Sequence, residues 1–386
     1  MKVKIISAVT VIIITVCTVL TAFAVSAADQ TDLKLPAKSA ILMEEKTGQI
    51  LYEQNPDQRL APASITKIMA LLLTFEALDD GRISYSDNVT ISKSANKMGG
   101  SQIWLEEGEK MSVSDLVKAM AVVSANDATF AMAEHIAGTE AAFIEMMNKR
   151  AAELNLTNTS FKNTTGFDED GHYTSARDVA VMAQALIKYP EIKKFSTIWM
   201  DKLRGGKSEL INTNKLIQSY EGITGLKTGS TDNAKYCLCA TAERDGVSLI
   251  SVVMGSNSSE ERFSASKSLL DYGFATFSVF TDDLSKLSLA PVKIILGAKD
   301  NVQGEISQNP QILLKKGQTK QLKYAVIMSD DIMAPVEKGQ AIGKIVYKIE
   351  NEIVLEIPVK AVESVEKLTI SGAYKKQLMV MFGVSY

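Results

Sequence analysis

Pro62-Ala63-Ser64-Ile65-Thr66-Lys67-Ile68-Met69-Ala70-Leu71-Leu72-Leu73 is the stretch on which the reading of this chain turns. A proline and a serine open a strongly apolar run, so the pattern predicts a helix from Ser64 to Leu78 with Ser64 in its first turn. The three-residue interval puts Lys67 on the same face as Ser64, one turn along. Free amides and the positive end of the helix dipole favour developing negative charge there. A serine hydroxyl is a weak nucleophile, and an ordinary lysine is protonated near neutral pH. Burial or a second cation must therefore lower the lysine's pKa before it can act as a base. The plain alternative is a helix cap followed by a surface lysine.

Ser-x-x-Lys alone selects nothing, because it recurs at Ser94, Ser264 and Ser364. Two later motifs in fixed order do the selecting: Ser124-Ala125-Asn126 and Lys227-Thr228-Gly229. The first follows the apolar run Ala119-Met120-Ala121-Val122-Val123, so hydrogen-bonding side chains appear where a helix core ends. Ser124 is suited to relaying a proton to a leaving amine, and Asn126 to holding a substrate amide and Lys67. The second lies on a strand, where Gly229 admits a substrate backbone and Lys227 and Thr228 offer donors to a carboxylate. Lys227 is also the second cation that Lys67 requires. Ser86-Asp87-Asn88 and Ser94-Ala95-Asn96 lie in polar surroundings and read as turn or cap residues. Lys46-Thr47-Gly48 reads as the turn of a hairpin joining Ala40–Met43 to Gln49–Tyr52.

The chain has 386 residues and a formal charge of −3, which suits a globular protein of two or three domains and no nucleic-acid surface. Lys2 and Lys4, an uncharged stretch from Ile5 to Val25 and the small residues Ser26-Ala27-Ala28 read as an export signal, residues 1–27, cleaved near Ala27 or Ala28. The same stretch is long enough to stay as an anchor. Cys17 reads as part of this apolar run, since Val16 is a poor fit to the small residue that precedes a lipoprotein cysteine. Cys237 and Cys239 alternate along a strand-like run and read as core. With His135 and His172 they lack any zinc spacing, so neither a metal nor another cofactor is expected.

Helical periodicity recurs at Val113–Ala125, Phe130–Ala137 and Val179–Ile187, and strands at Ile223–Thr228, Tyr236–Thr241 and Val247–Met254 form a meander. With the hairpin and a helix at Arg262–Tyr272 these predict one mixed α/β domain, residues 28–281, with an antiparallel sheet and a helical cluster. Beyond Asp282 short alternating strands predict a small all-β domain, residues 282–365, for spacing or partner binding. In the tail, residues 366–386, Tyr374, Leu378, Met381 and Phe382 recur at helical spacing beside Lys375 and Lys376. That segment either lies in a membrane surface or docks on its own domain.

The three motifs, together with Gly171-His172-Tyr173-Thr174-Ser175-Ala176-Arg177-Asp178, Asn212-Thr213-Asn214, Gly225-Leu226-Lys227-Thr228-Gly229 and Ala334-Pro335-Val336-Glu337-Lys338-Gly339, resemble the low-molecular-mass penicillin-binding proteins that act as D-alanyl-D-alanine carboxypeptidases. The resemblance runs from about Leu35 to Val365. It implies a β-lactamase/transpeptidase-like fold, Ser64 as nucleophile, Lys67 as base, and Ser124 and Asn126 as the second catalytic wall. It also implies an oxyanion hole from the amides of Ser64 and Ser230, and a carboxylate site at Lys227, Thr228 and Arg262. Many relatives carry histidine where this chain has Ser230. The plain reading of Arg262 is a surface partner for Glu260 or Glu261. The implied partners are peptidoglycan stem peptides ending in D-Ala-D-Ala, β-lactams and, through the tail, the outer face of the cytoplasmic membrane.

A serine β-lactamase shares the acylating residues but needs a carboxylate to activate water. The local match, Ala151-Ala152-Glu153-Leu154-Asn155, has Ala151 at that position. A wall-binding protein without catalysis is the second rival, and the intact polar set argues against it. His172, in a Ser/Thr-rich turn before a helix capped by Ser175 and Asp178, reads as structural rather than as a triad base.

Overall fold

The computed structural model describes residues 33–307 and 309–381. The expected signal, residues 1–27 with Cys17, its cleavage site at Ala27 or Ala28, and Phe382 of the tail lie outside the described residues.

Strands β1 (Ser39–Glu44) and β2 (Ile50–Gln54) form the expected hairpin. Its turn is closed by the Glu44 carboxylate, which accepts from both the amide and the hydroxyl of Thr47 at 2.6 Å. The first Lys-Thr-Gly is thus a turn. β3 (Ile223–Thr231), β4 (Lys235–Arg244) and β5 (Val247–Ser256) complete an antiparallel sheet in the order β2-β1-β5-β4-β3. β3, which carries Lys227, is therefore an edge strand of this sheet.

Side chains that alternate along these strands divide into two cores. Ile41, Met43, Cys237, Cys239, Ile250, Val252 and Met254 face the helical cluster. Ala40, Leu42, Leu238, Ala240, Leu249 and Val253 face a single long helix on the other side. The cysteines are free and buried, as expected of core residues, and burial pushes the Cys237 thiol up to about 11.

In the cluster, α1 (Lys67–Asp79) is flanked by α2 (Val113–Val122), α3 (Asn126–Ala137), α4 (Glu140–Glu153) and α5 (Ala176–Ile187). Ile68 through Phe75 of α1 are all buried, so a helix that is apolar on every side sits at the centre rather than on the surface. The periodicity predicts helix through Ala125, but α2 stops at Val122 and a new helix starts at Asn126. Ser124 takes a left-handed φ of +63°, and the Asn126 amide leaves the helical ladder to donate to Ser101 O at 2.7 Å. Ser86 lies in a turn and Ser94 in a single helical turn capped by Ser92, so both decoys are local features.

α6 (Ser259–Thr276) covers the opposite face and begins with Ser258 accepting from the Glu261 amide at 3.1 Å. It runs directly into a strand, Phe277–Thr281, that pairs with Gln311–Lys315. The rest of this β-rich part is built on a four-stranded sheet in the order Gly304–Glu305, Glu352–Ala361, Ala341–Ile349, Leu322–Met328. A last helix, α7 (Ile370–Met381), exposes Ile370, Tyr374, Leu378 and Met381. Among the described residues no helix is long and apolar enough to cross a membrane.

α6 approaches the sheet closely at Gly273, where an added Cβ would lie 2.5 Å from Leu249 Cδ1 and 3.0 Å from Leu42 Cδ2. Gly273→Val overfills that contact and should destabilise the protein by about 1–3 kcal/mol. In a urea titration the midpoint should fall with the slope unchanged.

Candidate active site

Two backbone segments converge on the turn that carries Ser64. Ser64 lies in a 3₁₀ turn, Ala63–Thr66, and the α-helix itself begins at Lys67, one turn later than the sequence pattern suggests. The crowding explains the tighter turn. A Cβ on Gly166 would lie 1.8 Å from Ala63 O, and one on Gly229 would lie 3.0 Å from the amide nitrogens of Ser64 and Ile65. Ala63 itself takes a φ of +48°. Gly166 and Gly229 are therefore the residues that let the two strips of backbone press against Ser64.

Lys67 is fully buried, with Nζ 3.0 Å from Ser64 Oγ and donating to Thr165 O at 2.7 Å. Burial holds its pKa well below the usual lysine value, Lys227 pushes the same way, and Asp127 opposes them. In its neutral form this amine can donate one hydrogen to the Thr165 carbonyl and accept from the Ser64 hydroxyl. The expected partner for Lys67 was Asn126. Asn126 Nδ2 instead donates to Gly99 O at 2.7 Å, and its Oδ1 is buried without a partner. Thr165 carried no side-chain signal, because the group it supplies is a main-chain carbonyl.

Ser124 Oγ is likewise buried and unpartnered. Both are buried polar atoms without a hydrogen-bond partner among the described residues, where buried polar atoms are ordinarily satisfied. On the other wall, the Lys227 pKa is brought down to about 7, chiefly by burial and then by Arg262. Its Nζ donates to Thr228 O at 3.0 Å. Thr228 Oγ1 donates to Thr213 Oγ1 at 2.6 Å, and Asn214 Nδ2 donates to Gly225 O at 3.0 Å. The Asn212-Thr213-Asn214 segment thus pins β3 at the height of Lys227. Ser230 is exposed at the end of this stretch.

Arg262 is not the surface partner of Glu260 or Glu261. It is 8% exposed, donates through Nη1 to Gly229 O at 3.1 Å and Cys237 O at 3.4 Å, and keeps Nε unpartnered. Burial lowers its pKa. A buried guanidinium that forms no salt bridge among the described residues is costly alone and suits an anionic ligand.

His172 joins the loop after α4 to the nucleophile turn. Its Nδ1 accepts from the Lys162 amide at 2.9 Å, which leaves the proton on Nε2, 2.8 Å from Thr66 Oγ1. This is a structural histidine, not a triad base. Ser175 caps α5 by accepting from the Asp178 amide at 3.2 Å, and Asp178 in turn accepts from Thr159 Oγ1 at 2.6 Å. Ala151 is buried on α4, so that position supplies core packing and no carboxylate.

Residues 23–258 match the D-alanyl-D-alanine carboxypeptidase family, and residues 274–367 match the C-terminal domain of penicillin-binding protein 5. The chain belongs to the D-alanyl-D-alanine carboxypeptidase family of low-molecular-mass penicillin-binding proteins. It is 45% identical over 341 residues to D-alanyl-D-alanine carboxypeptidase DacF of Bacillus subtilis (strain 168), an alignment that covers 87% of this chain and 88% of the other. Its fold is similar to that of penicillin-binding protein 5 from Haemophilus influenzae, with a TM-score of 0.79 and 34% identity, over 88% of this chain and 100% of that one. Penicillin-binding protein D2 from Listeria monocytogenes, solved in an ampicillin-bound form, matches with a TM-score of 0.58 and 32% identity, over 63% of this chain and 100% of that one.

Burial depresses the His172 pKa from 6.5 to about 4, against the raising influence of Glu169 and Asp168. The unfolded chain therefore binds the extra proton first, so this contribution is complete above pH 6.5 and is lost as pH falls toward 4. The full loss amounts to about 3 kcal/mol. Urea midpoints measured between pH 7 and 4 should fall steeply for the natural protein, and less steeply for His172→Gln.

Proposed function

We propose that this chain is a serine-type D-Ala-D-Ala carboxypeptidase that removes the terminal D-alanine of peptidoglycan pentapeptides through an ester at Ser64. The observation that carries this reading is the fully buried Lys67 amine, 3.0 Å from Ser64 Oγ and beside a second buried lysine. Ser64 Oγ attacks the penultimate D-alanine carbonyl while its proton passes to Lys67 Nζ. The amides of Ser64 and Ser230 receive the oxyanion, with Gly229 keeping the strand close enough for both to serve. Ser124 delivers a proton to the departing D-alanine nitrogen as the C–N bond breaks, and Asn126 holds the peptide amide. Water then hydrolyses the ester.

Lys227, Thr228 and Arg262 recognise the terminal carboxylate, which supplies the anion that the buried guanidinium lacks. Penicillin enters by the same route, because its strained amide resembles the scissile bond and its carboxylate meets the same cations. Its leaving group stays tethered and obstructs water, so the acyl-enzyme persists. The absence of a carboxylate at Ala151 supports a peptidase over a β-lactamase.

The reading includes export by a signal at residues 1–27, a catalytic domain over residues 28–281 and a β-rich domain over residues 282–365. The tail, residues 366–386, lies in the outer surface of the cytoplasmic membrane. Support for the last comes from the exposed Ile370, Tyr374, Leu378 and Met381 of α7.

Incubation with a purified pentapeptide wall fragment should release free D-alanine in the presence of a chelator. Mass spectrometry should find penicillin on the peptide that contains Ser64. Ser64→Ala should abolish both results, and Lys67→Ala should slow acylation about 100- to 10,000-fold. Labelling at Ser94, or rapid penicillin turnover without D-alanine release, would overturn the assignment.

The acid limb of acylation should lie well below the ordinary lysine value of 10.5, because the rate rises as Lys67 loses its proton. Lys227→Gln removes one of the two influences that keep Lys67 neutral, and should move that limb to higher pH. Arg262→Ala should raise KM for the pentapeptide by about tenfold, the loss of one charged hydrogen-bond partner.

A further inference from the structure

Trp104 is 76% exposed and takes a left-handed φ of +57°, a conformation unfavourable to a bulky side chain. The surrounding chain enforces it. The buried Asp127 carboxylate accepts from the amides on both sides, Ile103 N at 3.1 Å and Leu105 N at 3.0 Å. Arg204 donates to Ile103 O at 2.8 Å and to Trp104 O at 3.3 Å while it is held by Glu109. Ile103 and Leu105 are buried, while Trp104 and Glu106 are exposed and Gln102 is half-buried. An indole is thus presented to solvent on a backbone that Asp127 and Arg204 hold in place.

The same loop borders the active site, since Gly99 O and Ser101 O accept from the side chain and the amide of Asn126, each at 2.7 Å. Trp104 stands three residues beyond Ser101, within about 10 Å along the chain. We propose that Trp104, with Gln102 and Glu106, binds a neutral amino sugar of the glycan strand that carries the stem peptide. The apolar C–H face of a pyranose stacks on the negative face of the indole, and the flanking amide and carboxylate reach its hydroxyl and N-acetyl groups. The choice of sugar rests on the carboxypeptidase reading; the binding platform itself does not.

The chain has two tryptophans, so their emission reports the contact. Titration of the full protein with triacetylchitotriose, a peptide-free probe, should change tryptophan emission in the natural protein and in Trp199→Phe but not in Trp104→Gly. Glycine accepts the positive φ, so Trp104→Gly should keep its melting temperature. That variant should also raise KM about threefold to tenfold for a glycan-linked pentapeptide while leaving the free pentapeptide unaffected. No emission change at millimolar probe would overturn the proposal. An equal rise in KM for both substrates would do so too, by making Trp104 a peptide contact. If D-alanine release failed while the emission change persisted, the fault would lie with the carboxypeptidase reading and not with the sugar site.

Discussion

An amine buried without a carboxylate partner is the constraint around which the catalytic domain is arranged. Desolvating an ammonium costs several kcal/mol, so Lys67 at the centre of the helical cluster is held toward its neutral form. Lys227 adds a second cationic site on the facing strand instead of an anion that would stabilise the charge. Asp127 pulls the other way, but its carboxylate is already occupied by the amides of Ile103 and Leu105. The fold by itself therefore favours the neutral amine of Lys67.

That preference fixes the surrounding architecture. A neutral amine needs a hydrogen-bond acceptor that is not a charge, and the Thr165 carbonyl meets this need. The loop that carries Thr165 must then lie against the nucleophile turn, which Gly166 permits and His172 secures through Thr66. Asp168 extends the same loop to the far wall by accepting from Thr231 Oγ1 at 2.7 Å and from the Asn233 amide at 3.2 Å. The two walls of the candidate site are thus joined by the segment whose carbonyl accepts from Lys67.

The opposite balance holds for the unpartnered groups. Ser124 Oγ, Asn126 Oδ1 and Arg262 Nε are buried polar atoms with unmet hydrogen bonds among the described residues, a cost to the fold. Ser124 also bears a left-handed backbone at the junction of α2 and α3. The cores on either side of the sheet, dense with Leu, Ile, Val and Met, supply the compensating burial.

The sequence by itself determined the class of fold, the order of the motifs and most of the residues that the structure gathers at the candidate site. Strand-length apolar runs between the turns at Asp232-Asn233 and Arg244-Asp245-Gly246 located the meander, and they run nearly unbroken because both faces of the sheet are buried. Apolar helical runs located the cluster, and Ser-x-x-Lys forced its two side chains onto one face. The break at Ser124–Asn126 and the 3₁₀ turn at Ser64 were not legible, since both arise from backbone groups of distant loops. Nor was the Thr165 acceptor, because every residue offers a carbonyl and only tertiary packing decides which one meets Lys67. The sequence left Arg262 between a surface ion pair and an inward site; the packing of α6 on β3 and β4 decided it, by closing water and the nearby carboxylates away from the guanidinium.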